Sequence, residues 1–308
     1  MFDLVGVGNP VYDSIITPLS RTDGRVLSGC STNACLAAKK LGLGKVGLVG
    51  CIGPEFEARF RREMDDFGIE VRVDTTGKGT GGFHLTYDEE GDRTLDVLGV
   101  AGPITPKSFP EEFFQTRVIL IGPILGEVGR DLIEFLRFST SSKLFLDPQG
   151  LIRSVGADKR IIHSCNTQEF AKIAQQVDFV KPNEPESRAI TGEVDPVLGL
   201  RRLRQMGAKV PIITLAERGS LLLEGERLHR IPPYPTRAID PTGAGDVYAG
   251  SFITHYERGG NLEESSIYAS AAASMMVEQV GPNFLLSERD VRERMDAIRD
   301  RVITESYS

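Results

Sequence analysis

Residues 238–252, AIDPTGAGDVYAGSF, decide the fold of this chain. Asp240-Pro241 ends an extended run, because proline disfavours a helical conformation of the residue before it. Gly243 and Gly245 allow the backbone to turn tightly and to approach a ligand closely. A buried helix is predicted to follow over 244–255. Since the first backbone N–H groups of a helix lack partners inside it, this stretch predicts an anion-binding helix start.

Asp246 falls in the first turn of that predicted helix. A carboxylate there would repel a phosphate that the turn merely held. It is useful if it accepts the proton of a hydroxyl that attacks the phosphate, because phosphoryl transfer needs positioning, charge neutralisation and a proton acceptor. The alternative interpretation is an N-capping aspartate that follows a glycine turn.

The segment 240–246 resembles the carboxy-terminal signature of the ribokinase family of carbohydrate and nucleoside kinases, also called the PfkB family. The family carries Asp-Thr-Thr-Gly-Ala-Gly-Asp or a close variant, so Pro241 is the only departure. The resemblance implies that Asp246 is the catalytic base. It also implies that the amides of Gly243, Ala244 and Gly245 hold the transferring phosphate.

The composition is that of an ordinary globular protein, with 308 residues, 40% hydrophobic and 26% charged. A net charge of −7 implies no basic surface for nucleic acid. No apolar run reaches membrane length, and no secretory signal is present at the amino terminus. The four cysteines have no metal-type spacing, so we expect reduced thiols and a cytoplasmic protein.

The amino-terminal strand predicted over 2–8 ends in Gly6-Val7-Gly8, which hints at a dinucleotide fingerprint and an NAD-dependent dehydrogenase. The third glycine is absent, and a proline follows, which does not suit a pyrophosphate-binding helix start. Residues 8–13 instead resemble the opening of the ribokinase family, where a polar residue and an aspartate bind substrate hydroxyls. The candidates are Asn9 and Asp13, and a turn aspartate is the alternative for the second.

A second substrate-binding segment is suggested by Ser28-Gly29 and Asn33. The family has Gly-Gly-x-x-x-Asn at a helix start, so Gly29 matches and Ser28 departs from the pattern. By resemblance Asn33 binds a substrate hydroxyl, for which its amide offers both donor and acceptor. The alternative is a capping residue at the start of a helix predicted over 35–41.

Lys181-Pro182-Asn183-Glu184-Pro185-Glu186 resembles the family's Asn-x-x-Glu motif. The resemblance implies that Asn183 and Glu186 organise Mg²⁺ near the nucleotide, with Glu186 acting on the metal partly through water. A hard cation that keeps several waters suits such oxygen ligands. The same residues also fit a helix cap followed by a first-turn glutamate.

The remaining nucleotide contacts are implied by two further loops. Residues 214–220 resemble the family's Thr-x-Gly-x-x-Gly loop, which contacts ATP, and give Thr214, Glu217 and Gly219 as candidates. Ala216 replaces a glycine of that pattern. The turn at 281–283 corresponds to one that closes the adenine pocket, with Asn283 as the candidate.

Strands and helices alternate along the chain, which predicts a doubly wound α/β sheet flanked by helices, with ligands at the carboxyl ends of the strands. One ribokinase-like domain over 1–308 is expected. Segments 14–27 and 74–102 are predicted to form a small β lid, the second as a hairpin hinged by glycines. Asp147-Pro148-Gln149-Gly150 follows a core strand, and many relatives have asparagine where Gln149 stands.

The sequence therefore predicts an ATP- and Mg²⁺-dependent kinase that phosphorylates a hydroxyl of a small sugar, nucleoside or polyol. Asn9-Pro10 favours nucleosides by its resemblance to the adenosine kinase branch. Asp240 would contribute to a K⁺ site, as its counterpart does in some relatives. A catalytically silent nucleotide or sugar sensor is the rival interpretation. The lid could also join two subunits in a homodimer, while no nucleic-acid or membrane partner is expected.

Overall fold

The computed structural model describes residues 1–75, 77–88, 93–281 and 284–306. Asn283, the candidate for the adenine pocket, lies outside them. No helix in this described part of the chain is long and apolar enough to cross a bilayer. All four cysteines are free thiols.

Strands β1 to β16 occur in chain order as follows: Phe2–Val7, Val11–Ile16, Val26–Ser28, Val46–Ile52, Glu70–Thr75, Gly82–Tyr87, Arg93–Gly99, Thr116–Ile121, Lys143–Leu146, Arg153–Val155, Ile161–His163, Phe179–Val180, Val210–Thr214, Ser220–Glu224, Arg227–Ile231 and Ile303–Ser306. Helices α1 to α9 span Cys30–Lys40, Pro54–Phe67, Arg130–Ser139, Thr167–Ala174, Glu184–Thr191, Pro196–Gln205, Ala244–Glu257, Leu262–Met276 and Glu288–Arg299.

Ten of the described strands form the central sheet, in the order β16-β15-β14-β13-β12-β9-β8-β1-β4-β5. The strands β13, β12, β9, β8, β1, β4 and β5 run parallel to one another. Strands β14 to β16 extend the sheet beyond β13 in antiparallel fashion. Parallel strands covered on both faces need continuous apolar runs, and every residue of β4 is buried. The predicted α/β architecture is confirmed, whereas β16 was not anticipated.

Helices α1, α7 and α8 pack together on one face of the sheet. The contact is close because Gly250 of α7 lies against the backbone of α1, where an added Cβ would stand 2.1 Å from the carbonyl oxygen of Ala34. This packing brings the amino-terminal part of α1 beside that of α7. The predicted helix over 35–41 was too short, since α1 begins at Cys30 and Asn33 lies inside it.

The lid is a four-stranded sheet in the order β3-β2-β6-β7. The predicted hairpin is confirmed as β6 and β7, but it does not stand alone, because β6 pairs in parallel with β2. Strand β2 continues from β1 after three residues, and Tyr12 stacks on Phe56 of α2 with ring centroids 4.1 Å apart. The expectation of a hairpin hinged away from the core was wrong in this respect. Residues 74–75 belong to core strand β5.

The inner face of the lid is apolar and packs against the carboxyl-end loops of the central sheet. Val11, Phe83 and Tyr87 form a buried cluster with Cys30 of α1 and Ile124. A two-stranded hairpin of β10 and β11, which the sequence did not reveal, contacts the outer strand β7 through a hydrogen bond from Val97 N to Lys159 O of 3.1 Å. The lid is thus joined to the core at several places.

Candidate active site

The loop before α7 has the geometry that the sequence pattern predicts. Gly243 adopts φ +81°, a left-handed conformation that favours glycine, and α7 starts at the next residue. The turn is closed by a 2.9 Å hydrogen bond from Thr242 N to Oδ1 of Asp240, whose side chain is fully buried. Ala244 N donates to Pro241 O at 3.3 Å. The first turn of a 14-residue helix therefore opens at this loop, where helix N–H groups favour an anion.

The carboxylate of Asp246 lies in this first turn and receives hydrogen bonds from two amide side chains. Asn33 Nδ2 donates to Oδ2 at 2.9 Å, and Gln149 Nε2 donates to Oδ1 at 3.3 Å. Burial raises the pKa of Asp246, and the negative charge of Asp147 raises it further, while the bond from Asn33 opposes the shift. A carboxyl group of raised pKa is a better proton acceptor when it is ionised.

A buried ion pair lies beneath the loop. Nζ of Lys181 is 2.9 Å from Oδ2 of Asp147, and neither side chain is more than 3% exposed. An added Cβ on Gly245 would stand 3.5 Å from the same Nζ, so the ammonium group approaches the loop. Burial alone would lower the pKa of Lys181, but the carboxylates of Asp147 and Glu186 raise it above its usual value. Lys181 is therefore charged at neutral pH.

Two strands bring these charges together, because β9 and β12 are parallel neighbours and end at the same edge of the sheet. Asp147 follows β9 and Lys181 follows β12. The ligand atoms of Cys30, Asp147 and Asp246 all lie within 4.8 Å of one another. Neither Asp147 nor Lys181 was predicted from the sequence as a site residue. The signal that could have identified them is a charged residue directly after an apolar strand.

Asn183 and Glu186 form a reciprocal capping box at the start of α5. Glu186 N donates to Asn183 Oδ1 at 2.8 Å, and Asn183 N donates to Glu186 Oε2 at 2.9 Å. Glu186 is nonetheless buried, and burial together with Asp147 raises its pKa. The predicted metal-organising role would use the same carboxylate as the cap.

The chemistry of the donors fits Mg²⁺. Glu186 supplies carboxylate oxygens, the ligand type that this hard cation prefers. Burial and the negative charge of Asp147 raise the pKa of Glu186, and a divalent cation close to Glu186 would favour its ionised form. Glu186 is the residue that we expect to hold the metal, through water.

A family profile described as "pfkB family carbohydrate kinase" matches residues 16–289. The chain belongs to the pfkB family. It is 31% identical over 274 residues to a cytidine kinase of Thermococcus kodakarensis, a match that covers 86% of this chain and 92% of the relative.

Solved structures of this fold superimpose on most of the pfkB chain. A pyrophosphate-dependent kinase of the ribokinase family, in complex with sulfate, has a TM-score of 0.81 at 21% identity over 94% of this chain and 99% of that one. A putative ribokinase II of E. coli, in complex with ATP and Mg²⁺, has a TM-score of 0.78 at 16% identity over 96% and 100%. The fold is therefore that of ribokinase.

In this pfkB chain Asp13 lies on the inner side of the lid, where it is buried. Its Oδ1 accepts a hydrogen bond from Phe83 N at 2.7 Å, which ties β2 to β6. Burial raises the pKa of Asp13 to about 6, although hydrogen bonds from Phe83 and Ser28 oppose this shift. Asp13 is hence only partly ionised near pH 6.

The side chain of Asn9 is occupied by backbone groups. Its Oδ1 accepts from Cys51 N at 2.7 Å, and its Nδ2 donates to Gly102 O at 2.9 Å. These bonds hold strand ends together, while Asn9 also lines the cavity described below, so its contact with substrate stays a prediction. Gly29 caps α1 at φ +115°, and an added Cβ would stand 3.0 Å from Asn9 O. The absence of a side chain at Gly29 thus lets the start of α1 approach the backbone of Asn9.

The glycines at the end of β1 have a packing explanation that needs no dinucleotide. An added Cβ on Gly8 would stand 2.2 Å from Gly122 O, and one on Gly6 would stand 2.7 Å from Sγ of Cys35. The sequence hint of an NAD-dependent dehydrogenase loses its only support.

The expected nucleotide loop follows β13. Thr214 N donates to Pro182 O at 3.1 Å, so the loop lies beside the Asn183 segment. Ala216, at the family's glycine position, adopts φ +51°, a conformation that an alanine takes at some cost. Glu217 is exposed, and Gly219 adopts φ +86° at the end of the turn. Arg218 is exposed and pairs with Glu184.

A cavity of about 260 Å³ opens between the lid and the core. Its wall includes Val11, Phe83, Ile124 and several glycines. Glu127, also in the wall, accepts hydrogen bonds from the backbone N–H groups of Asn9, Ile124 and Leu125, which shapes this end of the cavity.

Proposed function

We propose that this pfkB-family chain transfers the γ-phosphate of ATP to a hydroxyl of a nucleoside. The observation that carries the proposal is the carboxylate of Asp246 in the first turn of α7, beside the Gly243–Gly245 turn and held by Asn33. This arrangement supports proton acceptance next to an anion site.

Each residue has a distinct part in the proposed reaction. Asp246 accepts the proton of the attacking hydroxyl while the backbone amides of 243–245 stabilise charge on the transferring phosphate. The ammonium group of Lys181 adds positive potential beneath the same turn. Mg²⁺, held through water by Glu186, would neutralise the polyphosphate. Whether Asp240 contributes to a K⁺ site stays a prediction.

A nucleoside is favoured over a free sugar or a polyol by two observations. The Thermococcus kodakarensis relative is a cytidine kinase. The cavity between the lid and the core has the apolar wall residues Val11, Phe83 and Ile124, which suit the faces of an uncharged ring. The polar residues Asn9, Lys78 and Glu127 also line it. In this proposal Asp13 accepts a hydrogen bond from a sugar hydroxyl of the nucleoside, and the nucleobase lies in the cavity.

The test is an assay of product formation with cytidine, other nucleosides, ribose and myo-inositol, each with ATP and Mg²⁺. Turnover highest with a nucleoside supports the proposal. Turnover with ribose or inositol, but with no nucleoside, would support kinase activity and contradict the choice of a nucleoside as the acceptor. Binding of ATP without turnover on any acceptor favours the silent sensor. Pyrophosphate replaces ATP in a parallel series, because the chain shares its fold with a pyrophosphate-dependent kinase.

We also propose that the lid covers bound substrate and that residues 1–308 act as one unit. A homodimer formed through the lid is the second candidate, since β3 and β7 are the outer strands of its sheet and an outer strand can pair with another chain.

A further inference from the structure

The side chain of Gln149 contacts the proposed base, yet the reaction described above gives it no part. Its amide donates to one oxygen of Asp246 at 3.3 Å, while Asn33 donates to the other at 2.9 Å. We infer that Gln149 is a positioning residue, which together with Asn33 fixes the orientation of the Asp246 carboxylate for proton acceptance. The inference rests on the proposed function of Asp246 as the base.

The two amides reach the carboxylate from separate elements. Asn33 lies on α1, whereas Gln149 starts a short 3₁₀ turn, Gln149–Leu151, after β9. Since each amide takes a different oxygen, the pair restrains rotation of the carboxylate about its Cβ–Cγ bond. A carboxylate has about four lone-pair sites, so the two amides and the thiol of Cys30 still leave a site for a substrate hydroxyl.

The backbone that carries Gln149 is held firmly. Gly150 N donates to Pro123 O at 3.0 Å, and Gly126 N donates to Gly150 O at 2.9 Å. An added Cβ on Gly150 would stand 2.4 Å from the carbonyl carbon of Pro123, so the turn lies directly against the loop after β8. The amide of Gln149 therefore projects from a fixed point.

The charges around Asp246 explain why an additional donor is useful. Asp147 disfavours the ionised base, as burial does, whereas Lys181 and the donors Asn33 and Cys30 favour it. A further amide donor to the ionised form acts in the same favourable direction. Loss of the Gln149 donor is thus expected to reduce the ionised fraction of Asp246 and to let its carboxylate adopt more than one orientation.

The length of the side chain at this position fits the contact. Glutamine places its amide one methylene further from the backbone than asparagine does. In this chain that extra length accompanies the contact with Oδ1 of Asp246.

The experiment uses two substitutions of similar length, Gln149→Met and Gln149→Glu, with Gln205→Met on the exposed end of α6 as the matched control. We expect Gln149→Met to lower kcat about ten- to a hundredfold, because a hydrogen bond to a charged group is lost. The KM for ATP should stay within about twofold, and the acid limb of the pH–rate profile should move to higher pH. Gln149→Glu should lose more activity at neutral pH, because it places another carboxylate beside the base.

A readout without turnover accompanies the kinetics. In protein with ¹³C-labelled aspartate carboxyls, the Asp246 signal is assigned by its loss in Asp246→Asn, and its titration midpoint should rise in Gln149→Met. Wild-type kcat and an unmoved midpoint in Gln149→Met would overturn the inference, as would equal activity of the two Gln149 variants. If the wild type shows no turnover while the Asp246 midpoint still rises in Gln149→Met, the proposed kinase function is wrong, but the contact between Gln149 and Asp246 is supported.

Discussion

The loop at 240–246 and the lid are in contact, but different forces hold them. The loop is held by hydrogen bonds within a few residues and lies over the buried pair of Lys181 and Asp147. The lid is held by backbone ladders and an apolar cluster that includes Phe83 and Ile124. The two meet where the hydroxyl of Tyr87 lies 3.0 Å from Oγ1 of Thr242.

This difference suggests that the loop governs the chemical step, whereas the lid governs access of the substrate. Buried charges that are paired and hydrogen-bonded require a fixed geometry, since an unpaired buried charge is costly. An apolar face can separate from its neighbour without leaving such a charge behind. We therefore expect substitutions in the loop to affect turnover and those in the lid to affect substrate binding.

The largest effect is expected at the base. Asp246→Asn should lower kcat by about a hundred- to ten-thousand-fold, because general-base catalysis contributes that much. ATP affinity, measured by calorimetry, should remain near the wild-type value, since the loop amides are retained. A loss below tenfold would show that Asp246 is not the base.

Asp13→Asn tests the lid side of the site. The pKa of Asp13 lies at about 6, so its carboxylate is ionised above that pH and protonated below it. We expect kcat/KM for the acceptor to fall as the pH drops through 6 in the wild type. The variant should lose this limb and have a KM about ten- to a hundredfold higher above pH 6.

The same substitution has a signature in stability. The folded pKa of Asp13 lies above its ordinary value of 3.8, so the folded state binds this proton more tightly than the unfolded state. Its contribution is present below about pH 4 and is lost as the pH rises through 6. The free energy of unfolding of Asp13→Asn, measured with denaturant, should lack this pH dependence between about pH 4 and 6. If the free energy of unfolding changes with pH in the same way in both proteins, the raised pKa of Asp13 is refuted.

Glu186→Gln tests the metal role against the capping role. The amide oxygen can still accept the Asn183 N–H, so the cap is retained, but the charge is lost. We expect a several-fold higher Mg²⁺ concentration for half-maximal activity, with little change in the KM of the acceptor. An unaltered Mg²⁺ titration would reduce Glu186 to a helix cap.

The smallest effect is expected where loop and lid meet. Tyr87→Phe removes the hydroxyl that contacts Thr242, and one such bond contributes about 1 kcal/mol net. The KM for the acceptor should rise about fivefold with kcat nearly unchanged. Hydrogen exchange of amides in 83–88 and 93–98 should become faster.

Exchange in the same amides distinguishes a lid from a dimer contact. If substrate closes the lid, a nucleoside should protect them at any protein concentration. If the lid mainly joins two subunits, protection should increase with protein concentration instead. Strong protection in dilute, ligand-free protein would show that the lid is part of the rigid core.

Several elements were predictable because their signals are local. The strand predicted over 2–8 was found as Phe2–Val7, and the helix after Gly243 began where the glycine turn ends. The β10–β11 hairpin was missed because its strands are three residues long. The hinge assigned to the lid hairpin failed because parallel pairing with β2 joins segments about 70 residues apart, which no local pattern reports.

By itself, the sequence determined the glycine turn and the position of Asp246 in the helix that follows, since a proline, two glycines and a helix start act on neighbouring residues. Only the tertiary structure decided what surrounds that carboxylate. Asn33, Gln149 and Asp147 lie about a hundred residues or more from it along the chain. They meet because adjacent parallel strands end at one edge of the sheet and because α1 packs closely on α7. The depth of burial, and with it the raised pKa of Asp246, exists only after that packing.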